Sequence, residues 1–436
     1  MVRIFSLLRD LTPNQRNAVL SAYLGWTLDA FDFFILVFVI KDVASEFSVS
    51  ITDVTFAILL TLAARPLGAL LFGLAADRFG RVPTLMVDIL AFSALEFATG
   101  FAPNLTVFLI LRALFGVAMG GEWGVGASLA MESIPENSRG LISGLLQAGY
   151  PSGYLIASVV YGLLFHLIGW RGMFMVGAVP ALLVIYIRST VEESPAYLAR
   201  MDRRDQPGLL KVLRRHAGLF IYAVMLMTAF NFFSHGTQDL YPTFLQVQRH
   251  LDTATVSIIA VIYNIGAILG GIVIGALSQT IGRRWAIGLA ALLALPIIPL
   301  WAFSAQPVSL AVGAFLIQFA VQGAWGVIPV HLNELSPGEV RGTFPGFAYQ
   351  LGNLIASVNA TMQASIAASF PVAGAAGPDN GNYAIALAGT AAVVALAVAI
   401  LAAFGPEARG VRFEGSETAA YEEPVGRAAK PNMLTP

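Results

Sequence analysis

The sequence predicts an all-α, polytopic membrane protein of twelve spanning helices in two six-helix halves. Three observations carry that prediction. The chain is 57% hydrophobic and only 12% charged, where soluble domains carry about 25% charged residues. Apolar segments recur along it, each about as long as an α-helix must be to cross a bilayer. Residue patterns of the first half return in the second at a constant offset of 202. Runs of this length fit helices and not a membrane barrel, whose strands are short and alternate in polarity. The chain has no cysteine, which excludes disulfides and thiolate metal sites. The net charge of −1 and the lack of a basic stripe with interleaved aromatics give no sign of nucleic acid.

The first span, 18–40, follows Arg3, Arg9 and Arg16. It is longer than the apolar core of a signal peptide and holds Asp29 and Asp32, so it reads as an uncleaved helix. Spans at 54–76, 83–101, 104–132, 141–168 and 171–189 complete an N-terminal half over 1–187. Residues 188–216 are polar, hold seven of the 25 Lys and Arg, and read as a cytoplasmic linker. Spans at 217–245, 254–278, 285–303, 308–333, 343–370 and 382–404 form a C-terminal half over 217–404. Residues 405–436 lack periodicity and read as a mobile cytoplasmic tail. Twenty basic residues fall in the termini and the even-numbered loops, against Lys41, Arg171 and Arg249 in the odd-numbered ones. The excess places both termini in the cytoplasm. The expected location is the plasma membrane, the inner membrane in a bacterium.

The stretch 231–243 organises the functional reading. On a helix, Asn231, Ser234, His235, Gln238, Asp239 and Pro242 share one face. A polar stripe on a spanning helix cannot face lipid, so it must line a bundle interior or a water-filled cavity. Two of its members can carry a proton, and ionisable groups within a membrane mark functional sites. The stripe therefore reads as one wall of a transport pathway.

The repeat is detailed. Gly73-x-x-x-Asp77-Arg78-x-Gly80-Arg81 returns as Gly275-x-x-x-Gln279-Thr280-x-Gly282-Arg283. Glu132 and Arg139-Gly140 return as Glu334 and Arg341-Gly342, and Gly121, Trp123 and Gly124 as Gly323, Trp325 and Gly326. Parallel repeats related by an axis along the membrane normal are a transporter architecture. Over essentially its whole length the chain resembles the major facilitator superfamily. The loop motif at 73–82 is that superfamily's best-known signature, and Arg112 with Gly116 and Gly120 resembles its fourth-helix motif. Asp29-x-x-Asp32, Gly120-Gly121-Glu122-Trp123-Gly124 and Glu192-Glu193-Ser194-Pro195 resemble the sialate:proton symporter family. Asn231, Ser234, His235, Thr237, Gln238, Asp239 and Thr243 resemble the signature of its lactate and pyruvate permease branch, the Jen-type carriers.

The offset lays Asp29 on Asn231 and Asp32 on Ser234, so helices one and seven are expected to face each other across a central cavity. A carboxylate near mid-membrane loses hydration, which favours its protonated form and suits proton exchange; the plain alternative is pairing with an arginine or the backbone. His235 and Asp239, one turn apart, can share a proton; the plain alternative is a histidine satisfied by a backbone carbonyl. Asp29, Asp32, His235 and Asp239 are the expected coupling set. Arg65 and Arg112 are the arginines within spans, and a guanidinium grips a carboxylate with two parallel hydrogen bonds. The motif accounts for Arg112, with an acid on helix one as the expected partner. Arg65 has no such explanation and no mate at Ala267, so it is the favoured anchor. Asn231, Ser234, Gln238, Gln322, Gln350 and Asn353 are further expected substrate contacts, although such amides also glue helices together. Asp88, Glu96 and Glu122 are buried acids without an assigned role.

The resemblance implies a latch at the loop motif that holds the outward-open state. Its expected gating set is Gly73, Asp77, Arg78, Gly80 and Arg81, with Gly282, Arg283 and Arg284 from the second copy. Gln279 replaces the acid there, so the second latch should be weaker. Gly116/Gly120 and Gly271/Gly275 read as packing surfaces. The expected function is proton-coupled symport of small monocarboxylates, lactate or pyruvate first, with a small organic anion, a proton and the lipid bilayer as partners. No cofactor, metal or nucleic acid is expected, and the functional unit reads as a monomer. The rivals are a symporter of a larger organic acid, such as sialate or a dicarboxylate, and a non-transporting sensor on a transporter fold. No nucleophile–base pair or nucleotide-binding glycine loop points to an enzyme.

Overall fold

A spanning chain must satisfy its peptide groups internally, and apolar helices do so. The computed structural model describes residues 11–49, 51–201, 209–371 and 381–413, and these are almost wholly helical. The first half comprises α1 (Pro13–Phe47), α2 (Ile51–Phe79), α3 (Arg81–Thr99) and α4 (Leu105–Ser133), followed by α5 and α6. Arg139–Gln147 leads into Gly149–Val176, which breaks at Gly169. We label 139–168 as α5, and 170–176 with Ala181–Thr190 as α6. In the second half α7 runs over Ala217–Gln238 and continues through Tyr241–Thr243 and a wide turn at Phe244–Gln248. It is followed by α8 (Thr253–Ile281), α9 (Arg283–Phe303), α10 (Pro307–Trp325 with Ile328–Leu335), α11 (Phe344–Ala356 with Asn359–Ser369) and α12 (Tyr383–Phe404).

Among the described residues, ten stretches are long and apolar enough to cross a membrane unaided. The twelve expected crossings are recovered because α5 and α6 form one of those stretches up to residue 176 and α11 is interrupted at 357–358. Between the halves, Pro195–Met201 and Leu209–Arg215 are short helices; the linker's residues 202–208 lie outside the described residues.

The repeat is visible in the backbone. Gly80 and Gly282 precede α3 and α9 with φ of 106° and 97°, a region that only glycine enters at low cost. In each half the side chain of a later glutamate caps the helix that follows: Glu193 Oε2 accepts from Val82 N–H at 3.1 Å, and Glu407 Oε2 from Arg284 N–H at 3.1 Å. α2 packs along α4 as α8 packs along α10. Gly271 and Gly275 on α8 meet Gly144 and Gly140 on α5, so backbones touch across the halves; a Cβ on Gly275 would stand 2.8 Å from Gly140 O. Gly116 and Gly120 instead seat α4 on the α2 backbone at Thr61 and Arg65, within one half.

The start of α1, residues 191–201 and 209–216, and residues 405–413 gather at one end of the bundle, the linker end. There Asn14 Nδ2 donates to Glu192 at 3.0 Å, and Arg139 donates to Val411 O at 2.7 Å. The sequence reads 405–436 as one mobile tail, but residues up to 413 are tied to this end; 414–436 lie outside the described residues.

Candidate functional site

Between the halves lies a cavity of about 430 Å³. All six residues of the 231–243 stripe line it: Asn231, Ser234, His235, Gln238, Asp239 and Pro242. α7 leaves regular helix just after Gln238, so the stripe occupies its last turns. His235 Nδ1 is 3.1 Å from Asp239 Oδ1, and the two side chains retain 30% and 35% of their exposure, so the cavity admits water at the end away from the linker. α10 hooks onto the stripe through amides. Gln318 Oε1 accepts from Gln238 Nε2 at 2.9 Å, and Gln322 Nε2 donates to Ser234 Oγ at 3.1 Å. Arg65 faces this wall from α2. It is buried, with Nη2 2.7 Å from Met119 Sδ and its guanidinium over the Phe33 ring at 5.2 Å. Among the described residues no carboxylate lies within ion-pair distance of it, and Asp29 is not its hydrogen-bond partner.

The structure brings Arg65, Asn231, Ser234, Gln238, Gln322 and Asn353 to the cavity and leaves four expected members out, Gln350, Arg112, Asp29 and Asp32. Gln350 is buried behind Asn353 and accepts from its Nδ2 at 3.4 Å. Arg112 forms a buried ion pair with Glu96 of α3, not with an acid on α1. The pair closes across the α3–α4 hairpin, whose connection at 100–104 puts residues 96 and 112 side by side. That spacing was readable in the sequence and also supplies the missing partner of Glu96. Asp29 and Asp32 do not face α7: they point into the N-terminal half, fully buried, and their carboxylate oxygens have no hydrogen-bond partner among the described residues. On α1 the cavity-lining residues are Trp26, Phe33, Phe34 and Val37, a separate face of the same helix. The charges that reach Asp29 are those of Arg65, Glu96 and Arg112.

Sequence reasoning missed the aromatic lining. Trp26, Phe33, Phe34, Tyr150, Tyr154, Tyr263, Trp325 and Tyr349 all border the cavity. Phe34 meets Tyr154 edge-on at 4.8 Å, and Trp26 stacks on Tyr150 at 5.5 Å. The 202 offset carries the missing signal, because Phe33/His235, Leu62/Asn264, Gln147/Tyr349 and Pro151/Asn353 are repeat mates and every one lines the cavity.

At the linker end the cavity is shut. Asp77 at the end of α2 accepts from Gly342 N–H (2.8 Å), Thr343 N–H (3.0 Å) and the Thr343 hydroxyl (2.7 Å) at the start of α11. Gln279, its repeat mate, accepts from Gly140 N–H at 3.2 Å and donates to Glu136 O at 3.0 Å. Arg81 grips Glu132 with two bonds of 3.1 Å, and Arg283 grips Glu334 with bonds of 2.9 and 3.0 Å. Each glutamate is also approached by an arginine of the other half: Arg341 stands 3.9 Å from Glu132 and Arg139 3.9 Å from Glu334. Phe413 is buried between those two, with Arg139 and Arg341 3.7 and 3.9 Å from its ring centre. Gly73 packs against Thr343, the Arg78 carbonyl accepts from Tyr197, and Arg284 Nε donates to Ala402 O at 2.9 Å. Gly80 and Gly282 are the positive-φ turns at this closed end.

A pseudo-symmetric helical bundle with a central cavity lined by aromatic and polar side chains, shut at one end, defines a membrane transporter and not an enzyme. The sequence pattern of the Major Facilitator Superfamily matches residues 22–358 and 240–432, and the chain belongs to that superfamily. It is 30% identical over 352 residues to the sialic acid transporter NanX of Escherichia coli, covering 79% of this chain and 85% of NanX. It is 28% identical over 391 residues to the carboxylic acid transporter protein homolog of Saccharomyces cerevisiae, covering 84% of this chain and 63% of that longer relative. Its fold matches the proton:xylose symporter XylE with a TM-score of 0.75 at 18% identity, over 92% of this chain and 98% of XylE.

Hydrogen bonds to a charged group are worth about 1.5–3 kcal/mol each, and neutral ones about 0.5–1.5 kcal/mol. Asp77→Ala should therefore open the linker end by a factor of at least about 10, and Gln279→Ala by less. Phe413→Ala should act in the same direction. Labelling of a single cysteine placed inside the gate of this cysteine-free chain reads all three; equal labelling in Asp77→Ala and the parent protein would refute the latch.

Proposed function

We propose that the chain is a proton-coupled symporter of small organic monocarboxylates that works by alternating access, its halves rocking about the central cavity. Arg65 carries this reading. A buried guanidinium that lines a cavity without an ion-pair partner among the described residues is costly to keep, and a ligand carboxylate supplies a bidentate partner. On the opposite wall the solvent-facing His235–Asp239 pair is a proton carrier one helix away from the anion. Asp29 and Asp32, unpartnered in the N-terminal half, are a second coupling set. Anion and proton then cross together as a nearly neutral load. Among monocarboxylates, the 231–243 signature favours lactate and pyruvate. In this reading the basic linker end is cytoplasmic, both termini lie inside, the location is the plasma membrane, and the closed linker end makes the structure outward-facing. A single chain is the working unit.

A specific observation favours a second reading, a larger organic acid. A cavity of about 430 Å³ with eight aromatic side chains exceeds what a three-carbon acid fills. NanX is named for sialic acid, which supports that reading. Uptake of a panel of labelled acids into proteoliposomes with an imposed pH gradient separates the two. Lactate or pyruvate accumulating first supports the small-acid reading; accumulation of a larger acid alone moves the function to the second.

Uptake should rise as the outside is acidified and collapse when the gradient is removed. His235→Ala, Asp239→Asn and Asp29→Asn should abolish pH-driven accumulation, with counterflow exchange, which needs no net proton movement, surviving in at least one. Normal accumulation in all three would refute the coupling set.

Arg65→Lys keeps the charge but loses the planar fork, so substrate affinity should fall by about 1–3 kcal/mol. Arg65→Ala should fold and insert yet lose carboxylate binding. An unaltered binding constant in purified Arg65→Ala protein would transfer the anchor to another residue.

A further inference from the structure

Several buried acids belong neither to the cavity nor to the gate, and one of them borders a small space of its own. Glu122 on α4 is fully buried, and neither carboxylate oxygen has a hydrogen-bond partner among the described residues. It is pressed against α1: a Cβ on Gly25 would collide with its Oε1, and a Cβ on Gly126 would lie 3.3 Å from that oxygen. Beside it is a space of about 10 Å³ bordered by Ala22, Trp26, Trp123, Gly126 and Leu146. That is the scale of a single water site. Trp26, only 3% exposed, borders the same space, and its Nε1 has no partner among the described residues. An unanswered donor and an unanswered acceptor therefore flank room for one water. Trp26 also lines the central cavity, so the two spaces adjoin at this residue.

We infer that Glu122 is a proton-binding site of the carrier, loaded through one water held between its carboxylate and the Trp26 indole N–H. That water transfers a proton to Glu122 Oε while it takes one from cavity water. One O–H bond forms on the carboxylate, one is broken and remade on the water, and the net change is one proton drawn from the aqueous phase. A bare carboxylate without a donor is costly at this depth, whereas the acid form or a hydrated carboxylate is not. The titratable groups whose charges reach Glu122 are Asp29 from α1 and Asp88 from α3. α5 presents Leu146, α2 presents Phe72 to the neighbouring Gly121, and α11 presents Tyr349 to the adjacent Trp123. Because Asp29 and Glu122 are like-charged when ionised, a proton arriving on one eases its loss from the other, which ties this site to the cavity.

The inference rests on the proton-coupled reading of function. The test is pH-difference infrared spectroscopy on the full-length carrier in lipid bilayers. A protonated-carboxyl C=O band should grow on acidification, vanish in Glu122→Gln, and shift in frequency in Trp26→Phe, where the water loses its indole anchor. An identical difference spectrum in Glu122→Gln overturns the site, and an unshifted band in Trp26→Phe overturns the water bridge. Should Glu122→Gln fail to fold, Trp26→Phe still tests the proposal with the acid in place. Failure of the wider coupling reading is distinguishable, since it shows as uptake by the parent protein that does not respond to an imposed pH gradient, whatever the Glu122 band does.

Discussion

A buried arginine obliges the rest of a fold to answer it, and four of them meet at the linker end. Arg81 and Arg283 are each held bidentately by a glutamate of their own half. Arg139 and Arg341 reach across to the glutamate of the other half. Taking such ions out of water costs several kcal/mol apiece, and only dense pairing offsets it. The two halves therefore depend on each other for charge balance at this end. Everything above it, including a cavity that admits water from one side only, follows from that mutual dependence.

The cavity combines equivalent positions with unequal chemistry. Repeat mates line it from both halves, but where α7 offers His235 and Asp239, α1 offers Phe33 and Val37, and where α2 offers Arg65, α8 offers Ala267. The positive centre thus sits on one wall and the proton-sharing pair on the other, with aromatic rings filling much of the remainder. Twofold geometry sets where side chains can reach the load; divergence of the halves decides what they do to it. Under the proposed function, anion recognition and proton exchange are carried on different walls of the same space, both within reach of one ligand.

Much of this was legible in the sequence, and the parts that were not have a common physical cause. Span number, the repeat and the stripe on α7 depend on composition and period, which are local properties, and the six stripe residues all reached the cavity. The gate was readable because the offset duplicates it. The orientation of α1 was not, because both its faces are buried, one in the N-terminal half and one on the cavity, and no apolar periodicity tells them apart. Asp29 and Asp32 were thus assigned to the wrong face. The aromatic lining was hidden for a similar reason: in a chain so rich in apolar residues a tyrosine at a cavity does not differ in pattern from one at a helix interface. The Glu96–Arg112 pair needed only hairpin geometry. The caps by Glu193 and Glu407 escaped because they do not share the 202 offset.

The seam between α2 and α11 is fastened by a carboxylate with three donors, whereas the seam between α5 and α8 is fastened by a neutral amide over touching glycine backbones. Two fastenings of unequal strength do not part together under thermal agitation. Under the proposed rocking of the halves the amide-held seam yields first, so the path to the other face passes through a lopsided, half-parted geometry before the charged seam gives way. A load small enough to slip through that gap would escape without completing the cycle. The bulk of the cargo and the strength of the carboxylate fastening are in this sense matched quantities, and a carrier of this build is leak-tight only for loads larger than its first opening.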